Sequence, residues 1–525
     1  MHGLAEWHWN IAEEALHLSG KYIENSIKVW EAALQEVKAS QIYLSGIGKY
    51  IADFMVPYWS ALDTFLYLET EKLLMHSLDD TTRDYLELLQ FNLQIARKGL
   101  ESSLTAMSEY HMTEASKTHA AWTNAIFGRD GHDISAAAWR KAKLLEAIVK
   151  KYPEEIRAIA PEFGFHFDDG GYVKAAETDR FTLYQVLPKH KGVNVRPDMK
   201  PVLIIPPYVL GANILAFLPG EDKSYVHCFA NQGIPTYVRI IKDIGQTPAV
   251  QVMTGEDDAM DMRLFCERIV AAHGRPVTLN GFCQGGFVCL ANLLSGELDG
   301  LVDAFITCVT PIDGTRSKAL VEYLKHIPPR FRDLGYALKT LPSGNRVVDG
   351  RVMSWVYKLK SMDREAPVYV FYRDVKMFDS VDVDKLRINK TAAALNYWLL
   401  YDRQDLPLAI TKMSFDSYTI PISPEGTLPV RLFGKELNLK RLVEKNIKWL
   451  ICYAEEDDLV DKEAALAPLD YIDVEVTAFP KGHGAIATSW SLPTSECSLH
   501  SCFLGGRRGP VRFHLDLDIQ GKQNR

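Results

Sequence analysis

From residue 180 onward the chain is punctuated by short runs in which apolar residues follow one another with few polar breaks. RFTLYQVLP (180–188), PVLIIPP (201–207), PTYVRII (235–241), PVTLNGF (276–282), DAFITCVTP (303–311), IKWLICYA (447–454) and VEVTAFP (474–480) are of this kind. Such short runs, rich in β-branched residues and bounded by proline or glycine, predict strands. Where the alternation of apolar and polar residues is missing, they predict strands covered on both faces. Helical segments lie between them, so the pattern predicts an α/β sheet with helices on both sides. Between Pro311 and Lys445 the rhythm stops. Long amphipathic stretches there, with no run that fits the sheet, predict an insertion over its edge, a cap or lid.

The first 150 residues have a different pattern. They hold one proline, Pro57, of the 25 in the chain, and proline is excluded from helix interiors by its missing N–H and its ring. Ile23, Ile27, Trp30, Leu34 and Val37 recur at alternating spacings of four and three, lining one helix face. Leu86, Leu89, Leu93 and Ala96 repeat the spacing after an Asp79-Asp80-Thr81 start signal. These stripes predict a bundle of about four helices, with the stripe as its core rather than as a docking face. Pro161, Gly164 and Asp168-Asp169-Gly170-Gly171 then mark a boundary.

Charge narrows the partners. A net charge of −8 and a pI near 6.0 leave no basic stripe for nucleic acid. The first 20 residues lack a basic start and an unbroken apolar core, so no signal peptide is expected. The most apolar window, Val202 to Leu218, is short and interrupted by Pro206-Pro207, so no transmembrane segment is expected. Eight cysteines are scattered with no CxxC and no metal spacing. That usage fits a reducing cytoplasm and cysteines that are mostly small core residues, and with no phosphate-cradling loop or metal site in the sequence no bound cofactor is expected.

Cys283 is the exception. In LNGFCQGGF (279–287) it stands between a buried strand and an apolar helix, the layout of a nucleophile elbow. Gly281 and Gly285 remove side chains that would collide as strand and helix close, and the helix N-terminus favours a thiolate and, later, an oxyanion. In this layout an acid and then a histidine should follow at the ends of later strands. IKWLICYA runs into Glu455-Glu456-Asp457-Asp458, and VEVTAFP runs into Lys481-Gly482-His483. His483 would act as general base, oriented by Asp457, which gives a D-x-x-V register with Val460; Asp458 is the competing choice. The backbone N–H groups of Gln284 and of Tyr208 or Val209 would receive the oxyanion.

These residues carry a family resemblance. VLIIPPYVLGANILAFLPGEDKSYVHCFANQGIPTYV, the cysteine box GFCQGG, TPID (310–313), TAAALNYWLLYDRQDLPLAITKMSFDSYTI and GHGAIA (482–487) together resemble the polyhydroxyalkanoate synthases of the α/β-hydrolase superfamily. The likeness covers roughly 180 to 490. Beside the helical region predicted by the patterns, which spans 1–170, it implies an α/β-hydrolase-type catalytic domain over 171–495 with a cap at about 312–445. Residues 496–525 show no closing helix and read as a tail, disordered or aberrant. It also implies that Cys283 takes a 3-hydroxyacyl group from coenzyme A as a thioester and passes it to a growing polyester. The enzyme would work as a homodimer at a granule surface in the cytoplasm. The alternatives are a Cys-dependent hydrolase of the same polymer, a thioesterase, and a non-catalytic granule protein.

Overall fold

The computed structural model describes residues 2–72, 77–126, 134–208, 210–318, 321, 324, 334–353, 366–379 and 388–523. Parts of the cap insertion and Val209, one of the two loop oxyanion candidates, lie outside these. The chain divides into two compact units. The first comprises residues 1–56, 93–157 and 361–389, and the second 57–92, 158–360 and 390–525. The middle of the cap insertion therefore belongs with N-terminal helices.

In the first unit run the start of helix α1 (His2–Lys72), most of helix α2 (Leu78–Ile126) and helix α3 (Ile134–Glu146), which continues into one π-helical turn at Ala147–Lys151. Their core is built from Ala39, Ile42, Leu145, Ile148 and Val149 packed with Phe371 and Tyr372 of the helix Pro367–Asp379. Gly46 permits the close approach, because a Cβ there would stand 2.6 Å from Val149 and 3.0 Å from Phe371. Tyr50 donates to Asp374 (2.9 Å), and Tyr43 bonds the His111 ring (3.0 Å).

The stripe expected to be this core is not in it. Ile23, Ile27, Trp30, Leu34 and Val37 are all more than half exposed, as are Leu86, Leu89 and Leu93 of α2. Periodicity identifies an apolar face but not what covers it. On α1 the covered face is a second one, carrying Ala32, Ala39 and Ile42.

The second unit is built on an eight-stranded sheet. Its strands are β1 (Tyr172–Glu177), β2 (Phe181–Val186), β3 (Val202–Ile205), β4 (Thr236–Ile241), β5 (Val277–Phe282), β6 (Val302–Cys308), β7 (Lys448–Ala454) and β8 (Glu475–Phe479). The spatial order is β1-β2-β4-β3-β5-β6-β7-β8. β2 runs antiparallel to both β1 and β4, and the other pairs are parallel. Seven of these strands fall on the apolar runs. The eighth, β1, escaped because it is an edge strand with most of its side chains in solvent.

Register decides where chemistry can be gathered. Ile205 pairs with Gly281, Phe282 with Cys308, Cys308 with Cys452, and Ala454 with Phe479. The C-terminal ends of β3, β5, β6, β7 and β8 are therefore level, and the loops that leave them meet at one edge, where open α/β sheets place their ligands. The helix Gly255–His273 begins with a capping box between Thr254 and Asp257, and the helix Gln284–Ser295 follows β5 directly. Among the described residues, strands within the insertion pair only with one another: 338–340, 346–348 and 406–407 form one small sheet, and 427–432 with 435–438 a hairpin.

The tail corrects the sequence reading. Pro510–Gln523 is a helix with Val511 and Phe513 buried. His514 Nε2 lies 2.9 Å from the Lys200 carbonyl, while Asp518 accepts the Lys200 N–H (2.8 Å) and pairs with Arg275. Its contact face is partly ionic, which is why no apolar stripe announced it.

Candidate active site

Cys283 sits between β5 and the helix Gln284–Ser295 with φ 51° and ψ −127°, a conformation that costs a residue bearing a Cβ of the order of 1–3 kcal/mol. Two backbone bonds hold it there, from Cys283 N–H to the Cys308 carbonyl (2.8 Å) and from Gly286 N–H to the Cys283 carbonyl (2.9 Å). Both glycines singled out from the sequence are sterically required. A Cβ on Gly281 would stand 2.3 Å from the Gly286 Cα, and one on Gly285 would stand 2.4 Å from the Pro206 carbonyl oxygen. A third, Gly286, was missed; its Cβ would meet the Thr310 hydroxyl at 2.1 Å. The signal was present as the second glycine of QGG.

The loop after β7 brings in the acid. The carboxylate that meets the His483 ring is that of Asp457, at 2.9 Å from Nδ1. Asp457 is fixed in turn by the N–H groups of Leu459 (2.9 Å) and Val460 (2.8 Å). Val460 packs with Ala464 and Ala465 below the loop, which is what the D-x-x-V spacing provides. His483, in the loop after β8, is buried, and its ring stands edge-on to Phe282, next to the cysteine. Burial works against a charged imidazole, but the Asp457 carboxylate, together with Cys283 once its sulfur is a thiolate, outweighs it and raises the His483 pKa well above its ordinary value. The ring is thus placed to take the Cys283 proton and hold it beside the carboxylate.

Beside Cys283 lies a cleft lined by Pro207, Leu210, Gln284, Ser414, Tyr418 and Leu459. Its cavity volume of about 20 Å³ leaves room for roughly one water. The loop after β3 forms one wall, and the close contact of Gly285 with Ile205 and Pro206 presses that loop against the elbow. A larger cavity of about 240 Å³ lies elsewhere in this unit, against Glu162, His166 and Lys189, and none of Cys283, Asp457 and His483 lines it.

Tyr208, expected to offer only its backbone, has a second engagement. Its buried hydroxyl donates to Asp258, which also receives the Arg239 guanidinium (2.8 Å) and the Asn292 amide (2.7 Å). Arg239 donates to the Tyr208 hydroxyl as well (3.2 Å). Burial disfavours the Arg239 charge, but Asp258 and Tyr208 outweigh it and keep the guanidinium protonated. This fully buried network ties the β3 loop to β4, to the helix Gly255–His273 and to the helix that starts at Gln284. Arg239 and Asp258 were missed, although an arginine inside the apolar run TYVRII is a visible sign of a buried partner. Of the other cysteines, Cys228, Cys266, Cys289, Cys308, Cys452 and Cys497 are buried and Cys502 is exposed.

The strand order 1-2-4-3-5-6-7-8, with the second strand reversed, and an elbow after the fifth strand decide the architecture. The chain has the α/β-hydrolase fold. No family model matches it, and no curated protein matches it by sequence. Solved structures that align with it include a carboxylesterase of the thaumarchaeon Nitrososphaera gargenis, at 13% identity and TM-score 0.34, covering 60% of this chain and 92% of that one. A soluble variant of a Saccharomyces cerevisiae monoglyceride lipase aligns at 12% identity and TM-score 0.35, over 66% of this chain and 93% of that one. A Bacillus subtilis carboxylesterase aligns at 11% and 0.32, over 64% and 92%. The fold assignment rests on the strand order, not on these alignments. Among the described residues no group of His, Cys, Asp and Glu could hold a metal ion, and no helix is long and apolar enough to cross a membrane.

Proposed function

We propose that the protein is an acyltransferase of the polyhydroxyalkanoate synthase type, working through Cys283, His483 and Asp457. The observation that carries the reading is the Asp457–His483 pair at 2.9 Å, acting on a cysteine held in a strained elbow. In this mechanism Cys283 Sγ attacks the thioester carbonyl of a 3-hydroxyacyl-CoA while His483 takes its proton, and Asp457 stabilises the imidazolium. The N–H groups of Gln284 and Tyr208 receive the oxyanion. Coenzyme A leaves as a thiol with the proton returned by His483. The hydroxyl of a second hydroxyacyl unit then gives its proton to His483 and attacks the Cys283 thioester, forming an ester bond and freeing the thiol.

Two things support polymer synthesis over hydrolysis: the motif resemblance, and the choice of sulfur, since a thioester on Cys283 stays reactive toward a hydroxyl. The test is product analysis with 3-hydroxybutyryl-CoA. Polyester from wild type and none from Cys283→Ala is the expected result. Free acid would move the protein to the Cys-dependent hydrolases, and no coenzyme A release from either would favour a non-catalytic role.

A further inference from the structure

The apolar stripe on α1 is longer than its central five residues. Leu16, Ile23, Trp30, Val37, Leu44 and Ile51 follow one another at intervals of seven, with Ile27 and Leu34 set between them at three and four. All eight are between 42% and 72% exposed. They lie on the side of the helix opposite Ala32, Ala39 and Gly46, which face the core of their own unit. Among the described residues of its own unit, α1 therefore has two apolar faces, one covered and one bare.

The period identifies the occupant. On a straight helix a seven-residue repeat drifts by about 20° per heptad, so from Leu16 to Ile51 the stripe turns by about 100°. A flat apolar surface, whether lipid or polyester, would leave the ends of such a stripe turned away from it. A helix coiled around a second helix keeps the whole stripe in contact. One flank contains Ser19, Ser26, Ala33 and Ser40, small and uncharged, and the other His17, Glu24, Glu31 and Lys38, so in a parallel pair of identical helices each charged flank faces a small, uncharged one. Eight side chains covering on the order of 100 Å² each give roughly 800 Å² per partner, the size of a stable protein interface.

We propose that this stripe is one half of a two-stranded coiled coil, and that the other half is α1 of a second copy of the chain. The inference does not depend on the acyl-transfer reading. It places Gln41, exposed and in the line of Ile27 and Leu34, as a polar break in the seam.

Sedimentation velocity of the full chain at micromolar concentration tests it, with three proteins compared. Wild type should be a dimer. Leu34→Glu, on a surface that solvent reaches in the single chain, should weaken the dimer at least about 100-fold, since it would bury an unpaired carboxylate. Gln41→Ile should tighten it about tenfold by extending the seam. The opposite directions separate a lost interface from a misfolded helix. A wild type that stays monomeric, or a dimer that neither substitution moves, would overturn the proposal. So would a monomer that binds apolar vesicles through the same stripe.

Discussion

Replacing Gly285 by alanine adds one methyl group at the tightest point of the site. The new Cβ would lie 2.4 Å from the Pro206 carbonyl oxygen and 2.6 Å from that of Ile205, where ordinary contact begins near 3.4 Å. The elbow and the end of β3 must separate by about 1 Å. Neither neighbour can swing aside: both are backbone, and Ile204 and Ile205 are held by pairing with β4 and β5. Overpacking of this kind costs about 1–3 kcal/mol of stability. The larger effect should fall on rate, because the methyl pushes the loop carrying Tyr208 away from Gln284, and a displacement of about 1 Å in a catalytic arrangement costs on the order of 100-fold. Single-turnover release of coenzyme A, read beside urea unfolding, separates the two. Gly286→Ala provides the contrast, since its obstacle is the Thr310 side chain and adding Thr310→Ala should restore part of the activity. A Gly285→Ala protein with a rate within about threefold of wild type would refute the reasoning, because the loop would then not be held against the elbow.

Three further outcomes follow from named contacts. Asp457→Asn should lower the rate of coenzyme A release by about 10³- to 10⁴-fold, by upsetting the tautomer and charge of His483, whereas Asp458→Asn should stay within a few-fold; steady-state kinetics of the two variants decides it. Arg239→Met would leave Asp258 buried without its cation and should destabilise the fold by about 3–5 kcal/mol in urea unfolding, more than Arg431→Met on the exposed hairpin. His514 has its pKa pushed down to about 3, first by burial and then by the Lys200 charge. An unfolded histidine takes its proton near 6.5, so this contribution to stability is complete above pH 6.5 and is lost as pH falls toward 3, by up to about 1.4 kcal/mol per unit. His514→Gln should flatten that slope in unfolding curves measured from pH 7 to pH 4.

What the sequence disclosed followed what its patterns encode. Val202–Ile205 and Val277–Phe282 were legible because strands buried on both faces are mostly apolar, the second admitting Thr278 and Asn280 as buried polar exceptions. That Cys283, Asp457 and His483 stand in the loops that leave buried strands was legible because each follows such a run. Choosing Asp457 over Asp458 took the register of Val460, and the ring contact with His483 is visible only in three dimensions. The Arg239–Asp258–Tyr208 network was hidden because its members are far apart in sequence. The closing helix was hidden because His514 and Asp518 are polar residues on a buried face.

Covalent capture tests the central claim most directly. Wild type mixed briefly with 3-hydroxybutyryl-CoA, quenched in acid and digested, should carry one hydroxyacyl group on the peptide containing Cys283, and Cys283→Ala should carry none. Acylation of another cysteine, or coenzyme A release by Cys283→Ala at the wild-type rate, would contradict the account.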